Sequence, residues 1–481
     1  MMSKGVSGAF MGLLGRFGTK ILPFADAATK ELPLPRLLRL ALFQVAVAMS
    51  MVLLTGTLNR VMVVEQGVSA WIVALMVSLP LLFAPLRALM GHRSDNHRSA
   101  FGWRRVPYLW MGTLLQFSGL AIMPFALLVL ADGSGPAFLG PLSAAIAFLL
   151  VGAGMHMTQT AGLALATDLA APEQRPRVVA LLYVVLLLGM VLASSVFGFL
   201  LTDYTPGRLI EVLQGVAVLT ILLNLAALWK QETINQQRAK ARHEPGVPFM
   251  EAWRSFSGIG HIRRLLVVIA LGTAGFNMQD ILLEPYGGEI LGMSVAATTT
   301  LTATWATGML IAFALAARLL TRGANCYRIA TVGAAVGVLA FIVVVIAVPM
   351  DSTIVFRVGA FLIGFGGGLF AVSTLLAMMG FARNEQSGMA VGAWGAVQAT
   401  AAGGAIFLGG AIRDLVGWIT GNGWLGETLA APATGYLAVY YLEIALLLAV
   451  LVVMIPLLRA KEEPPATGPQ GKFGMTDFPT V

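Results

Sequence analysis

Twelve runs of at least 20 mostly apolar residues divide this chain, at 37–62, 70–90, 106–130, 137–166, 178–201, 208–229, 265–287, 296–320, 328–349, 353–381, 387–411 and 435–458. A helix of that length matches the hydrocarbon thickness of a bilayer, so each run predicts a membrane span. A water-soluble fold is excluded by composition. The chain is 58% hydrophobic and 11% charged, against about 25% charged residues in a soluble domain. The expected fold is an all-α polytopic membrane protein with 12 transmembrane helices. Pro80, Pro85 and Pro124 fall inside spans and predict kinks. Arg16 and Lys20 break up the first apolar stretch, so no cleavable signal peptide is expected. The single cysteine, Cys326, excludes an internal disulfide and a Cys-rich metal site.

Charge sets the orientation. Of the 31 lysines and arginines, all but Arg60, Arg208, Arg357 and Arg413 fall on one side of the twelve-span arrangement. The positive-inside rule makes that side cytoplasmic and puts both termini there. It also accounts for the net charge of +8 without a nucleic-acid partner. The most polar of the short connections is GHRSDNHRSAFGWRR, residues 91–105, with Asp95 as its only acid.

The chain divides into a cytoplasmic N-terminal arm (1–36), a six-helix half (37–229), a basic cytoplasmic linker (230–264), a second six-helix half (265–459) and a proline-bearing tail (460–481). Phe10, Leu13, Leu14, Phe17, Ile21 and Phe24 share one helical face of the arm, which suits either an interfacial helix or a flexible tail. The halves resemble each other. APEQRPRVVALLY (171–183) resembles ARNEQSGMAVGAW (382–394), with Glu173 matching Glu385 at an offset of 212, and Arg60 and Glu65 match Glu284 and Glu289 at an offset of 224. A parallel six-plus-six repeat is the layout of the major facilitator superfamily, whose halves rock about a central cavity.

Gly91 and Asp95 followed by Arg98, Arg104 and Arg105 resemble that superfamily's loop between spans two and three, with stretched spacing after the aspartate. The resemblance implies a cytoplasmic latch between the halves. Four separated motifs are more specific: GHRSDNHRSAFGWRRVPY, LTGTLNRVMVVEQGV (54–68), GAGMHMTQTAGLALATDLA (152–170) and QDILLEPYGGEILGMSV (279–295). Together they resemble the PucC/LhaA family of light-harvesting complex assembly proteins, a bacteriochlorophyll-delivery branch of the superfamily. The likeness covers roughly residues 20–460. It implies bacteriochlorophyll as cargo or ligand and antenna α and β polypeptides as partners, with pigment-synthesis enzymes and insertion machinery as further candidates. It also implies residence in the inner, intracytoplasmic photosynthetic membrane of a purple bacterium.

Beside the resemblance, the residues themselves nominate sites. His156 is the only histidine inside a span. A neutral imidazole there either ligates the magnesium of a bacteriochlorophyll, with Met155 and Met157 packing on the macrocycle, or bonds Gln159 or a backbone carbonyl. Asp280 and Glu284, four apart, share a helical face and suit a bound proton or a basic partner. Arg60 is the repeat partner of Glu284, so the two are expected to pair and close the periplasmic end, or else to snorkel. Glu65 and Glu289 belong to the same end. Asp168 and Glu173 are expected to pair with Arg175 or Arg177. Asn59, Gln116, Gln159, Asn277, Gln279 and Gln398 are candidates to contact a pigment's carbonyls, to ligate its magnesium weakly or to bond between helices; Gln159 joins His156, Met155 and Met157 as a pigment-binding candidate, and bonding between helices is the expected role of the others. No catalytic constellation appears: the chain lacks HExxH, a Walker lysine and a serine elbow, so an enzyme is not expected. Three functions stay open: pigment-delivering assembly factor, proton-coupled small-solute transporter, or pigment-free scaffold.

Overall fold

The computed structural model of the protein describes residues 32–82, 103, 105–132, 136, 138–171, 174–231, 260–380, 387–424 and 431–459. Twelve helical spans run through them. In the first half these are α1 (Leu34–Glu65), α2 (Ala70–Leu82), α3 (Val106–Asp132), α4 (Leu139–Leu169), α5 (Arg175–Leu200) and α6 (Pro206–Leu228). The second half has α7 (Ile262–Glu289), α8 (Val295–Thr321), α9 (Cys326–Ala347), α10 (Thr353–Gly380), α11 (Ser387–Gly421) and α12 (Thr434–Arg459). Eleven are long and apolar enough to cross a membrane, and α2 is a shorter apolar helix within the described residues. The chain is a multi-pass membrane protein.

Helix ends follow local chemistry. Pro33 and Pro35 open α1, where missing amide protons cost nothing. Asn325 caps α9 by accepting from the Tyr327 and Arg328 amides. The arrangement also differs from the sequence reading. Span eleven was expected to stop near 411, but α11 continues through Trp418 to Gly421, because AIRDLVGWIT holds no proline and its one glycine, Gly417, costs only about 1 kcal/mol in a helix. It stops where Gly423 takes a left-handed conformation, φ +75°.

The two halves repeat in detail. α1 ends at Glu65 and α7 at Glu289, 224 apart. This offset equals the one between the sequence pairs Arg60/Glu65 and Glu284/Glu289. Both leading helices are also irregular at matching places. α1 is wound as π-helix over Val52–Thr57, and α7 tightens to a 3-10 turn over Met278–Ile281. Residues 54–57 shifted by 224 are residues 278–281.

Glycine lets the helices of each half approach closely. A Cβ on Gly154 would lie 2.9 Å from the Gln116 Cα, joining α4 to α3; one on Gly366 would lie 2.8 Å from the Gly333 carbonyl oxygen, joining α10 to α9.

The described bonds between the halves gather at one end, where α1 ends and α2 begins. Asn59 donates to the Ile281 carbonyl at 3.0 Å, and the Thr57 and Thr299 hydroxyls lie 3.2 Å apart. Ser194 of α5 donates to the Thr299 carbonyl at 2.5 Å and accepts from the Ala303 amide at 3.0 Å. The Trp71 amide of α2 donates to Asp414 of α11 at 2.8 Å. This far end is closed. Among the described residues, no hydrogen bond joins the halves at the opposite, near end.

Candidate functional site

His156 lies in the near-end half of α4, four residues after Gly152, whose missing side chain makes room for Pro80 of α2. Residues four apart share a helical face, so the imidazole sits on the α2-facing side. It is only 7% exposed, and neither ring nitrogen has a hydrogen-bond partner among the described residues. The alternative bonds to Gln159 or to a carbonyl are not formed. Met155 and Met157 flank it and are equally buried, while Gln159 is half-buried. A buried histidine normally satisfies at least one nitrogen. One that satisfies neither, with buried methionines on both sides in sequence, is the residue that would hold the metal of a bound apolar cofactor through a ring nitrogen.

The second constellation surrounds the break in α7. The 3-10 turn falls between Asn277 and Leu283, so Asp280 and Glu284 do not ride one regular helix as their spacing suggested. Glu284 is buried and accepts from the Thr302 hydroxyl of α8 at 3.1 Å. Gly56 of α1 allows this approach: a Cβ there would lie 2.8 Å from the Thr302 hydroxyl. Asp280 accepts from the Gln279 side chain.

Arg60 does not pair with Glu284 in this structure. Its guanidinium binds Glu65, one turn on, and reaches the Met293 carbonyl at 3.3 Å. The reason is winding. The π-helical stretch Val61–Glu65 has a wider turn, which brings Glu65 round beside Arg60. Gly288 receives the guanidinium on the α7 side, where a Cβ would lie 2.9 Å from Arg60 Nε. Tyr204, in the turn after α5, also stands near this pair. Burial, then the Glu65 carboxylate, push its phenol above the ordinary range, with Arg60 opposing.

Glu289 joins a network that sequence reading did not find. Arg413 of α11 donates to Glu289 at 2.6 Å, to Asp414 at 2.7 Å and to the Tyr436 hydroxyl at 3.1 Å. Tyr436 of α12 in turn donates to Glu289 at 2.6 Å, and the guanidinium stands 4.6 Å from its ring centre. Through Asp414 and the Trp71 amide this network also ties α11 to α2.

Of the latch residues, Gly91, Asp95, Arg98 and Arg104 lie outside the described residues, as do the N-terminal arm over residues 1–31, most of the linker, Glu173 and the tail. Arg105 is buried and donates to Asp168 at 3.0 Å. Asp168 was expected to pair with Arg175 or Arg177. The start of α3 lies beside the end of α4 because the two helices pack antiparallel along glycines, Gly112 against Thr158 and Gly119 against Val151. That contact joins two helices of one half.

Comparison with known proteins places the chain. Residues 57–462 match the family described as PUCC protein. The chain belongs to the PucC family. Protein PucC of Rhodovulum sulfidophilum is 55% identical to this PucC-family chain, over 83% of it and 89% of the relative. An uncharacterised protein of the puhA–bchM intergenic region of Rhodobacter capsulatus is 50% identical over 97% of the chain and 99% of the relative. A more distant relative, at 27% identity over 79% of the chain and 88% of its own length, is the bacteriochlorophyll synthase 44.5 kDa chain of Rhodobacter capsulatus. The fold is that of major facilitator transporters. A bacterial homologue of the iron transporter ferroportin superposes with a TM-score of 0.64 at 15% identity, covering 88% of this chain and 98% of the other.

Sequence reasoning also missed one acid of this PucC-family chain. Glu443 is the only charged residue within YYLEIALLLAVLVVMIPLL of α12 and is fully buried. An intramembrane carboxyl is a functional candidate by default, so the signal was present. Its Oε1 accepts from the Gln279 amide at 2.7 Å, at the α7 break.

The inter-half serine yields a test. Ser194→Ala removes two hydrogen bonds across α5 and α8, worth about 1 kcal/mol each. Thermal unfolding in detergent should show a loss of a few degrees, with the far end more accessible to thiol reagents at introduced cysteines. An unchanged melting point and unchanged accessibility would show that α5 and α8 hold together without these bonds.

Proposed function

We propose that the chain is an assembly factor for light-harvesting antenna complexes, which holds bacteriochlorophyll in the membrane and hands it to antenna α and β polypeptides. Family membership supports the assembly role, and the bacteriochlorophyll synthase name carried by a distant relative supports the pigment. The observation that carries the pigment site is His156, buried with both nitrogens uncommitted between two buried methionines. The neutral imidazole of His156 would supply a nitrogen ligand to the magnesium of a bound bacteriochlorophyll. Met155 and Met157 offer adaptable contact to a flat macrocycle. His156 lies in the near-end half of α4, so the pigment would be held there. The lysine and arginine distribution assigns that end, and both termini, to the cytoplasmic side of the bacterial inner membrane. No covalent step by the protein is needed for this role.

Titration of the purified protein with bacteriochlorophyll in mild detergent tests the site. His156→Phe should weaken binding about tenfold or more, the loss of one metal-ligand contact. Equal affinity of the two proteins would remove His156 from the pigment site.

A further inference from the structure

The α7 break gathers groups that pigment binding does not use. Glu443 gives one oxygen to the Gln279 amide, while its other oxygen, Oε2, is buried without a hydrogen-bond partner among the described residues. The Gln279 side-chain oxygen is in the same position, and its residue is 2% exposed. Asp280 follows directly in sequence, accepts from the Gln279 side-chain Nε2, and lies within electrostatic reach of both Glu284 and Glu443. The Tyr440 hydroxyl, one turn before Glu443 on α12, is fully buried, unpartnered, and within electrostatic reach of Glu443 and Glu284. Among the described residues, no lysine, arginine or histidine bonds any of the three acids. Buried carboxyl groups without a base need a neutralising partner. In membrane carriers, small cations are held where a helix breaks and its carbonyls come free.

We infer that Glu443, Asp280 and the Gln279 side-chain oxygen form a site for a monovalent cation, H⁺ or Na⁺, at the α7 break. The donors are all oxygen, which suits a hard cation. The site sits beside a contact between the halves, since Asn59 of α1 bonds the Ile281 carbonyl within the same break. A cation bound there steadies the geometry of the break and with it the closed far end.

The ionisable surroundings are few. α7 contributes Asp280, Glu284 and Tyr286; α12 contributes Tyr436, Tyr440 and Glu443. Arg60 of α1 is engaged with Glu65, and Arg413 and Asp414 of α11 with the far-end network. α2 has no ionisable side chain among its described residues. The arginines of α8 and α9, Arg318 and Arg328, lie at the near end, and Arg357 of α10 bonds Thr300. The inference is independent of the pigment reading.

Thermal unfolding of the purified full chain in detergent is the test. Sodium chloride is exchanged for choline chloride at constant ionic strength, at several fixed pH values. A ligand that binds only the folded state raises its melting point. The wild type should gain about 2–4 °C on filling the site. A gain with sodium at fixed pH identifies Na⁺; a gain with falling pH in choline alone identifies H⁺. Glu443→Gln, which is neutral and isosteric, should abolish the response. Asp280→Asn, at a half-buried position, should reduce it and serves if Glu443→Gln does not fold. A wild type that responds to neither cation, or variants that respond as the wild type does, would overturn the site.

Discussion

Glu65→Ala should open the far end of the bundle. Arg60 is 5% exposed and its carboxylate partner is Glu65; without it the guanidinium keeps only the Met293 carbonyl at 3.3 Å. A buried charge left without its partner is costly, although Glu65 is itself 38% exposed on its side chain and water can partly replace it. A cost of about 2 kcal/mol follows, which shifts the balance between closed and open states roughly 30-fold. The measurement is the labelling rate, with a membrane-impermeant thiol reagent, of a cysteine placed on α8 beside Thr299, in a Cys326→Ser background. Glu284→Gln should have a smaller effect, because Glu284 bonds Thr302 rather than Arg60. If Glu284→Gln opens the far end as much as Glu65→Ala, the Arg60–Glu65 bond is not what keeps Arg60 seated on the Met293 carbonyl.

Gly364→Val should prevent folding. A Cβ at Gly364 would meet the Trp305 carbonyl oxygen and stand 2.8 Å from its carbon and 3.1 Å from the Trp305 Cα, all backbone atoms of α8. Backbone cannot swing aside as a side chain can, so the helices must separate along their length. Nearby Gly308 and Gly368 make the same α8–α10 seam tight, with Gly308 against Phe365 N at 3.0 Å and Gly368 against Met309 Cα at 3.2 Å. Within a membrane this packing is the main force between helices. The expected loss exceeds about 3 kcal/mol, the upper range for overpacking. Size-exclusion chromatography should show loss of the monodisperse peak. Gly395→Ala, with nothing within 4 Å, should leave it intact.

The spans and the repeat were readable because they rest on hydropathy and spacing, and bilayer thickness fixes both. The offset of 224 between Arg60 and Glu284 even locates two matching helix irregularities. Their pairing was not readable. Which carboxylate Arg60 meets depends on π-winding over Val61–Glu65, and π-winding has no simple residue signature. The same limit hid the break between Asp280 and Glu284. Arg413 and Asp414 of α11 lie more than 20 residues from Tyr436 of α12 and meet it only through tertiary packing. Glu443 could have been named from its solitary charge in span twelve. His156 was visible for the same reason, but that neither ring nitrogen finds a partner is a fact of the fold alone.

If the chain carries pigment to antenna polypeptides as proposed, pigment and antenna chains should purify with it. The direct measurement is an absorption spectrum of the protein purified in mild detergent from photosynthetically grown cells, with the co-purifying polypeptides identified. The expected result is a bacteriochlorophyll band together with antenna α and β chains, and loss of the band but retention of the chains in His156→Phe. A colourless wild-type protein that still brings the antenna chains with it would contradict pigment carriage and leave a scaffold.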